Sequence, residues 1–316
     1  MHAKTVVTIV AAALAAPAAL AQTIGIGATS TAYTAQASAA ISKVVSEKAG
    51  IQMRVQTHGG TSAYVPLVND GSLEFGLANE LETEFAVTGT EIYAGRPQSD
   101  LQVVAVLSPF RVALFARADS DIRTVADLKG KRLPAGWSSQ KIIGVLVDGV
   151  LANAGLSYDD VEQVPAANVV AGANDFAAGK VDAFFFVFGA GQVQETAAKV
   201  GGVRVLGIDP SPAAVERMRS HVPPAYAYEV EPSPANVGVD APLHVMAYEY
   251  LVLTSSKVAE DIVYKVARTL HESPGELAKA FPGLKLFAPE RMVKSFPRLA
   301  YHAGAVRFYR ESGAWK

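Results

Sequence analysis

Leu101-Gln102-Val103-Val104-Ala105-Val106-Leu107-Ser108-Pro109-Phe110-Arg111-Val112-Ala113-Leu114-Phe115-Ala116-Arg117 decides how this chain is organised. Leu101 to Leu107 and Val112 to Arg117 read as two strands, apolar enough to be covered on both faces, flanking the proline-bearing link Ser108 to Arg111. Upstream, short apolar strands alternate with helical segments. Thr23–Gly27 leads into the helical spacing of Ala32–Ala49, Ile51–Thr57 follows, and Leu73–Ala78 runs into Asn79. Downstream a second strand–helix series begins at Leu133, with a helix over Ile142–Ala154 and an aromatic strand over Ala183–Phe188. Tyr248–Leu253 is a strong strand again, and the remainder is mostly helical. This alternation predicts two α/β lobes, the chain passing out along Val112–Arg117 and returning along Tyr248–Leu253. Residues 22–114 plus 249–316 then form a discontinuous first lobe, and 115–248 the second.

Composition narrows the function. Half of the 316 residues are hydrophobic, enough for two cores of ordinary size. The formal charge is −2, which argues against a nucleic-acid partner, since phosphate binding needs a clustered basic surface. There is no cysteine, so thiol catalysis, thiolate metal sites and disulfides are excluded. At the N-terminus, His2 and Lys4 precede an apolar run from Val6 to Leu20, and Ala19-Leu20-Ala21 supplies a small-x-small cleavage pattern before Gln22. Residues 1–21 therefore read as a signal peptide, and a periplasmic location is expected.

Ligands of open α/β sheets gather at the carboxyl ends of strands, where helix N-termini present unpaired N–H groups. Four segments fall there. Gly27-Ala28-Thr29-Ser30-Thr31-Ala32-Tyr33 combines close backbone approach with hydroxyls suited to an anion. Asn79 ends a strand, Gly136-Trp137-Ser138-Ser139-Gln140 opens the second series, and Phe188 closes the aromatic strand. Arg111, at the start of a crossing strand, is a candidate bidentate clamp for a carboxylate. The expected ligand-binding set is thus Ala28, Thr29, Ser30, Thr31, Tyr33, Asn79, Arg111, Trp137, Ser138, Ser139 and Phe188. Each has a plainer reading: hydroxyls before helices are commonly N-caps, Asn79 could close a turn, and phenylalanines in a strand are commonly core.

Signals for catalysis are weaker. Gly25-Ile26-Gly27 starts like a dinucleotide fingerprint, but Ser30 stands at the third glycine position. Gln140 stands where a nucleophile elbow needs glycine, and the six histidines show no paired metal-ligand spacing. Glu80, Glu82 and Glu84 alternate as an acidic loop rim would. No cofactor, no metal and no enzymatic activity are expected.

These stretches resemble the solute-binding subunits of tripartite ATP-independent periplasmic (TRAP) transporters, in particular the TAXI branch. Gly27 to Tyr33 matches that family's glycine/threonine-rich loop ending in tyrosine, and Gly59-Gly60-Thr61-Ser62 its Gly-Gly-Ser-type turn. Arg117-Ala118-Asp119-Ser120 through Asp127-Leu128-Lys129-Gly130-Lys131-Arg132 is close to its most recognisable stretch, and Asp182 to Val187 to its aromatic strand. Ser30, Thr31 and Trp137 replace smaller residues usual in those loops. The resemblance implies a type II periplasmic-binding-protein fold, a small organic anion such as a carboxylate or acidic amino acid, and delivery to TRAP permease subunits by a monomer. An ABC-type binding protein, a sensor's binding partner and, behind both, a periplasmic enzyme remain the alternatives.

Overall fold

The computed structural model describes residues 23–29 and 32–315, so the signal-peptide segment, Ser30 and Thr31 lie outside the described residues. The first series is β1 (Thr23–Thr29), α1 (Ala32–Lys48), β2 (Gln52–His58), α2 (Thr61–Asp70), β3 (Phe75–Asn79) and α3 (Glu80–Thr88). β1 pairs in parallel with both β2 and β3. All of β3 and all of β1 beyond Thr23 is buried, as a sheet covered on two faces requires. Ile41, Val44 and Val45 of α1 pack on this sheet, while Ser38 and Ser42 donate to the carbonyls of Gly27 and Met53 at 3.0 and 2.6 Å.

The glycines that open β1 serve packing. A Cβ on Gly27 would lie 2.8 Å from the Tyr64 ring, whose hydroxyl donates to the Leu77 carbonyl beneath it. Tyr64 is fully buried in the space that this glycine leaves. The residue pattern that began like a dinucleotide fingerprint thus has a structural cause.

The expected pair of strands around Ser108–Arg111 is one continuous strand, β4 (Leu101–Arg117). Pro109 stands opposite Glu249, and the nearest irregularity of the ladder is Leu107, the extra β4 residue between the Ser108–Tyr250 and Val106–Leu251 pairs. The second series follows as β5 (Arg132–Gly136), α4 (Ile142–Asn153), β6 (Glu162–Ala166), α5 (Val169–Ala177), β7 (Ala183–Val187), α6 (Gly191–Val200), β8 (Val203–Leu206) and α7 (Pro212–Arg219). Ser120–Arg132 forms a turn with one short 3₁₀ segment, Val125–Leu128, held by a Thr124–Asp127 capping box. Asp127 bonds back to the amides of Arg123 and Thr124, which satisfies the backbone without a longer helix.

The proline-rich stretch from Pro223 to Pro242 contains β9 (Tyr226–Val230), and the return strand is β10 (Leu243–Ser255). α8 (Glu260–Glu272), α9 (Pro274–Ala280) and α10 (Ala303–Glu311) complete the chain. β4 and β10 run antiparallel from Leu101–Ser255 to Val112–Met246. On one half of this ladder β3 pairs with Tyr250–Thr254. On the other half β9 pairs with Leu243–Ala247, while β7 and β8 pair with the far end of β4. The result is two α/β lobes joined through two crossing strands. Tyr248 and Glu249, opposite Phe110 and Pro109, pair with neither β3 nor β9.

The second lobe is cored on aromatics. Phe184 stacks on Phe115 at 5.1 Å and meets Phe176 at 4.8 Å, all fully buried. Each such side chain contributes about 1.5–3 kcal/mol by leaving water, so the phenylalanine strand is first a stability element. Arg132 clamps Asp182 through two guanidinium bonds of 3.1 and 2.6 Å, tying β5 to β7 at the lobe's edge.

Candidate functional site

On the first lobe the site is built around a buried carboxylate. Asn79 ends β3 and caps α3 by accepting the Glu82 amide at 2.8 Å. This places Glu82 inside the protein, fully buried, although the alternating glutamates read as a solvated rim. Its carboxylate accepts from the Thr61 hydroxyl, from Ser62 at 2.9 Å and from Tyr93 at 3.1 Å. Burial raises the Glu82 pKa, and the three hydroxyls partly oppose that rise. Thr61 and Ser62 form the first turn of α2, which has no side-chain cap at Gly60. Glu82 therefore fixes the α2 N-terminus, and with it the Gly59-Gly60 turn, in the face directed at the other lobe.

On the second lobe, β5 leaves through Gly136 and Trp137, both at positive φ, 79° and 42°. The tryptophan conformation costs of order 1–3 kcal/mol and is held by burial and by its indole N–H donating to the Tyr158 hydroxyl at 2.9 Å. Ser139 is tied back by its amide and its hydroxyl to the Ala167 carbonyl, at 3.0 and 2.9 Å. The Gln140 side chain accepts the Val169 amide at the start of α5, at 3.3 Å. The turn is thus preorganised by bonds within its own lobe.

Between these faces lies a cavity of about 50 Å³. Its polar lining is Thr29, Thr34, Thr61, Asn79 and Gln140, with the hinge tyrosines Tyr248 and Tyr250. Ile142, Ile143, Leu146, Val169 and Phe186 form the opposite wall. Among the described residues no charged side chain lines it. Thr34 and Tyr250 share a hydrogen bond of 3.0 Å, which ties α1 to the hinge strand.

The lobes meet closely above this cavity. A Cβ on Gly60 would lie 2.1 Å from the Ser139 carbonyl oxygen. Gly60 has φ −173°, an extended conformation open to any residue, so the missing side chain is required by the approach of the other lobe.

A second cavity of about 270 Å³ adjoins the first, and Tyr33, Phe110 and Val187 line both. It holds Arg111, Lys285, Gln194 and Asn236. The Arg111 guanidinium lies 5.7 Å from both the Phe188 and Tyr228 rings, and burial lowers its pKa. Tyr33 packs edge-on against Phe110 and Phe281, each at 5.1 Å, and donates to the Gly283 carbonyl at 3.2 Å.

The structure thus brings Thr29, Tyr33 and Asn79 to the inner cavity, and Tyr33, Arg111 and Phe188 to the outer one. Ala28 is buried in β1, Trp137 braces its turn, Ser138 is exposed, and the Ser139 hydroxyl is spent within its lobe. Thr34, Thr61, Gln140, Tyr248 and Tyr250 were not anticipated as lining residues. Thr61 alone carried a signal, its place in a Gly-Gly-Thr-Ser turn after a strand.

The chain belongs to the NMT1-like family, whose model matches residues 24–313. It is similar in structure to PhnD1 from Prochlorococcus marinus in complex with methylphosphonate, with TM-score 0.59 and 11% identity over 93% of this chain and 99% of that one. A Xanthomonas citri protein bound to chloride ion gives TM-score 0.51 at 11% identity, over 92% and 96% of the two chains. A binding protein component of an ABC phosphonate transporter from Pseudomonas aeruginosa gives 0.50 at 12%, over 84% and 80%. These likenesses show the two-lobed periplasmic-binding fold. Among the described residues no helix is long and apolar enough to cross a membrane.

Two outcomes follow from this geometry. Gly60→Ala should leave thermal stability within about 0.5 kcal/mol of wild type, because its backbone is unstrained, yet hold the lobes apart. Small-angle scattering checks this: an expanded particle is expected, and one as compact as wild type would contradict the Gly60–Ser139 contact. Glu82 has a folded pKa above its unfolded value, so wild type loses stability as pH rises from about 4.3 towards neutrality. Glu82→Gln lacks that loss, so its melting temperature relative to wild type should improve over the same range, whereas a pH-independent difference would contradict a costly buried carboxylate.

Proposed function

We propose that this NMT1-like chain is an exported solute-binding protein that closes two lobes on a small organic anion and delivers it to a membrane permease. The observation that carries the reading is the inner cavity, lined by both lobes and by the hinge strands and roofed by the Gly60–Ser139 contact. A solute that touches both faces stabilises the closed form over the open one, which is how binding is converted into a shape a permease can read. The lobes are assigned to residues 22–114 plus 249–316 and to 115–248, and the chain acts as a monomer in the periplasm after removal of residues 1–21.

The anion is supported by Arg111 and Lys285 in the adjoining cavity, bordered by the amides of Gln194 and Asn236. A carboxylate, or an acidic amino acid, is the class that the resemblance to the TAXI branch implies, and that resemblance also makes a TRAP permease the partner. The solved structure described as part of an ABC phosphonate transporter favours a second reading, an ABC permease and a phosphonate-like ligand.

Native mass spectrometry of the purified protein, followed by thermal shift against carboxylates, amino acids, phosphonates and sulfonates, tests the proposal. A ligand at 100 times its Kd adds about 2.7 kcal/mol of stability, a shift of several degrees. A bound carboxylate mass or a carboxylate hit is expected. A response to phosphonates or sulfonates alone would replace the carboxylate, and no bound mass with no shift would overturn the anion reading. Uptake of the identified solute that persists without ATP supports the TRAP partner, and uptake that stops supports the ABC one.

A further inference from the structure

The inner cavity and the outer cavity differ in chemistry, and the difference bears on which anions fit. Arg111 projects from the crossing strand into the outer cavity with its faces covered by Phe188 and Tyr228. Rings cover a guanidinium's faces but leave its N–H edge in need of acceptors. Among the described residues no carboxylate pairs with Arg111 or with Lys285, and none lines that cavity. Lys285, exposed on the first lobe, faces the same space, and the amides of Gln194 and Asn236 border it. Two cations of the first lobe with no ion-pair partner among the described residues, faced by Phe188, Gln194 and Asn236 of the second lobe, make an anion seat that is completed only when the lobes come together.

The inner cavity offers the reverse. It has no charged lining, and the Glu82 carboxylate lies directly behind it, bonded to the hydroxyls of Thr61 and Ser62 at the start of α2. A negative group entering there would face a buried carboxylate without a cation to offset it. The far wall is Ile142, Ile143, Leu146, Val169 and Phe186. A volume of about 50 Å³ has room for about three or four atoms of methylene size, taking about 10–15 Å³ for each water-sized group.

We infer that the solute is an amphipathic monoanion, its anionic head on Arg111 and Lys285 in the outer cavity and its short apolar body in the inner cavity, past Tyr33, Phe110 and Val187. This rests on the solute-binding reading above and makes it more specific. Within the carboxylate and acidic amino acid class named above, the arrangement favours monoacids, because the second carboxylate of a dicarboxylate or acidic amino acid would fall in the chamber backed by Glu82.

Calorimetric titration with matched five-carbon acids tests it. Pentanoate represents the class, and glutarate and glutamate place a second charge where the methyl end would sit. Pentanoate should bind at least about tenfold more tightly than glutarate, and Arg111→Met should weaken that binding by about tenfold or more at unchanged melting temperature. Lys285→Met, at an exposed position with no fold to lose, should weaken it in the same direction. Glutarate or glutamate binding as tightly as pentanoate, or pentanoate binding indifferent to both substitutions, would overturn the inference while leaving a solute-binding protein. Failure of every organic anion to bind wild type would overturn the anion reading beneath it.

Discussion

The antiparallel ladder between β4 and β10 is the contact on which the rest of the molecule depends. It runs from Leu101–Ser255 to Val112–Met246, long enough for one half to sit in each lobe. Within it, the register shifts between Tyr250 and Leu251 and again between Val252 and Leu253. Such irregularities bend and twist a pair of strands, and here they adjoin Pro109, which cannot donate to a ladder. β3 lets go of β10 at Tyr250 and β9 takes hold at Ala247, so Tyr248 and Glu249 lack a lateral partner from either lobe. A short two-stranded segment between two well-braced sheets is the natural place for motion. The same segment supplies Phe110, Tyr248 and Tyr250 to the cavities, so the residues that bend also line the space in which a solute would sit.

The site divides its labour between rigid and adaptable parts. Buried, mutually bonded groups hold each face: Glu82 with Thr61, Ser62 and Tyr93 on one side, Trp137 with Tyr158 and Gln140 with Val169 on the other. Few of these bonds cross between lobes. The interlobe contact at Gly60 and Ser139 depends instead on the absence of a side chain. Preorganised faces lower the ordering cost of binding, and a contact made of backbone surfaces can open without breaking a polar network.

The two-lobed plan was legible because it depends on patterning: apolar runs around Ser108–Arg111, an answering run at Tyr248–Leu253, and strand–helix alternation on both sides. Pairing is not encoded in that way. β9 was hidden in a proline-rich stretch, since its ladder with β10 is fixed by a strand remote from it in sequence. Over Ser120–Arg132 a side-chain capping box meets the backbone's needs locally, so the charged stretch forms only a short 3₁₀ turn. For the site, the turns were legible and the orientation of their side chains was not. Ser139 looks like a ligand hydroxyl until Ala167 is placed beside it, and Glu82 looks solvated until Asn79 starts a helix that turns it inward. Arg111 was picked out by its place on a crossing strand, but the ring of Phe188 comes from the turn after β7 and that of Tyr228 from β9.

That the lobes close on a solute about the β4–β10 hinge is most directly measured as a distance between them. The chain has no cysteine, so spin labels at Lys43→Cys and Lys180→Cys, both exposed and one in each lobe, report that distance alone. Pulsed dipolar spectroscopy on protein carrying its solute should give one short, narrow distance, broadening to longer values once the solute is removed. A single distribution indifferent to the solute would contradict a hinged binding protein.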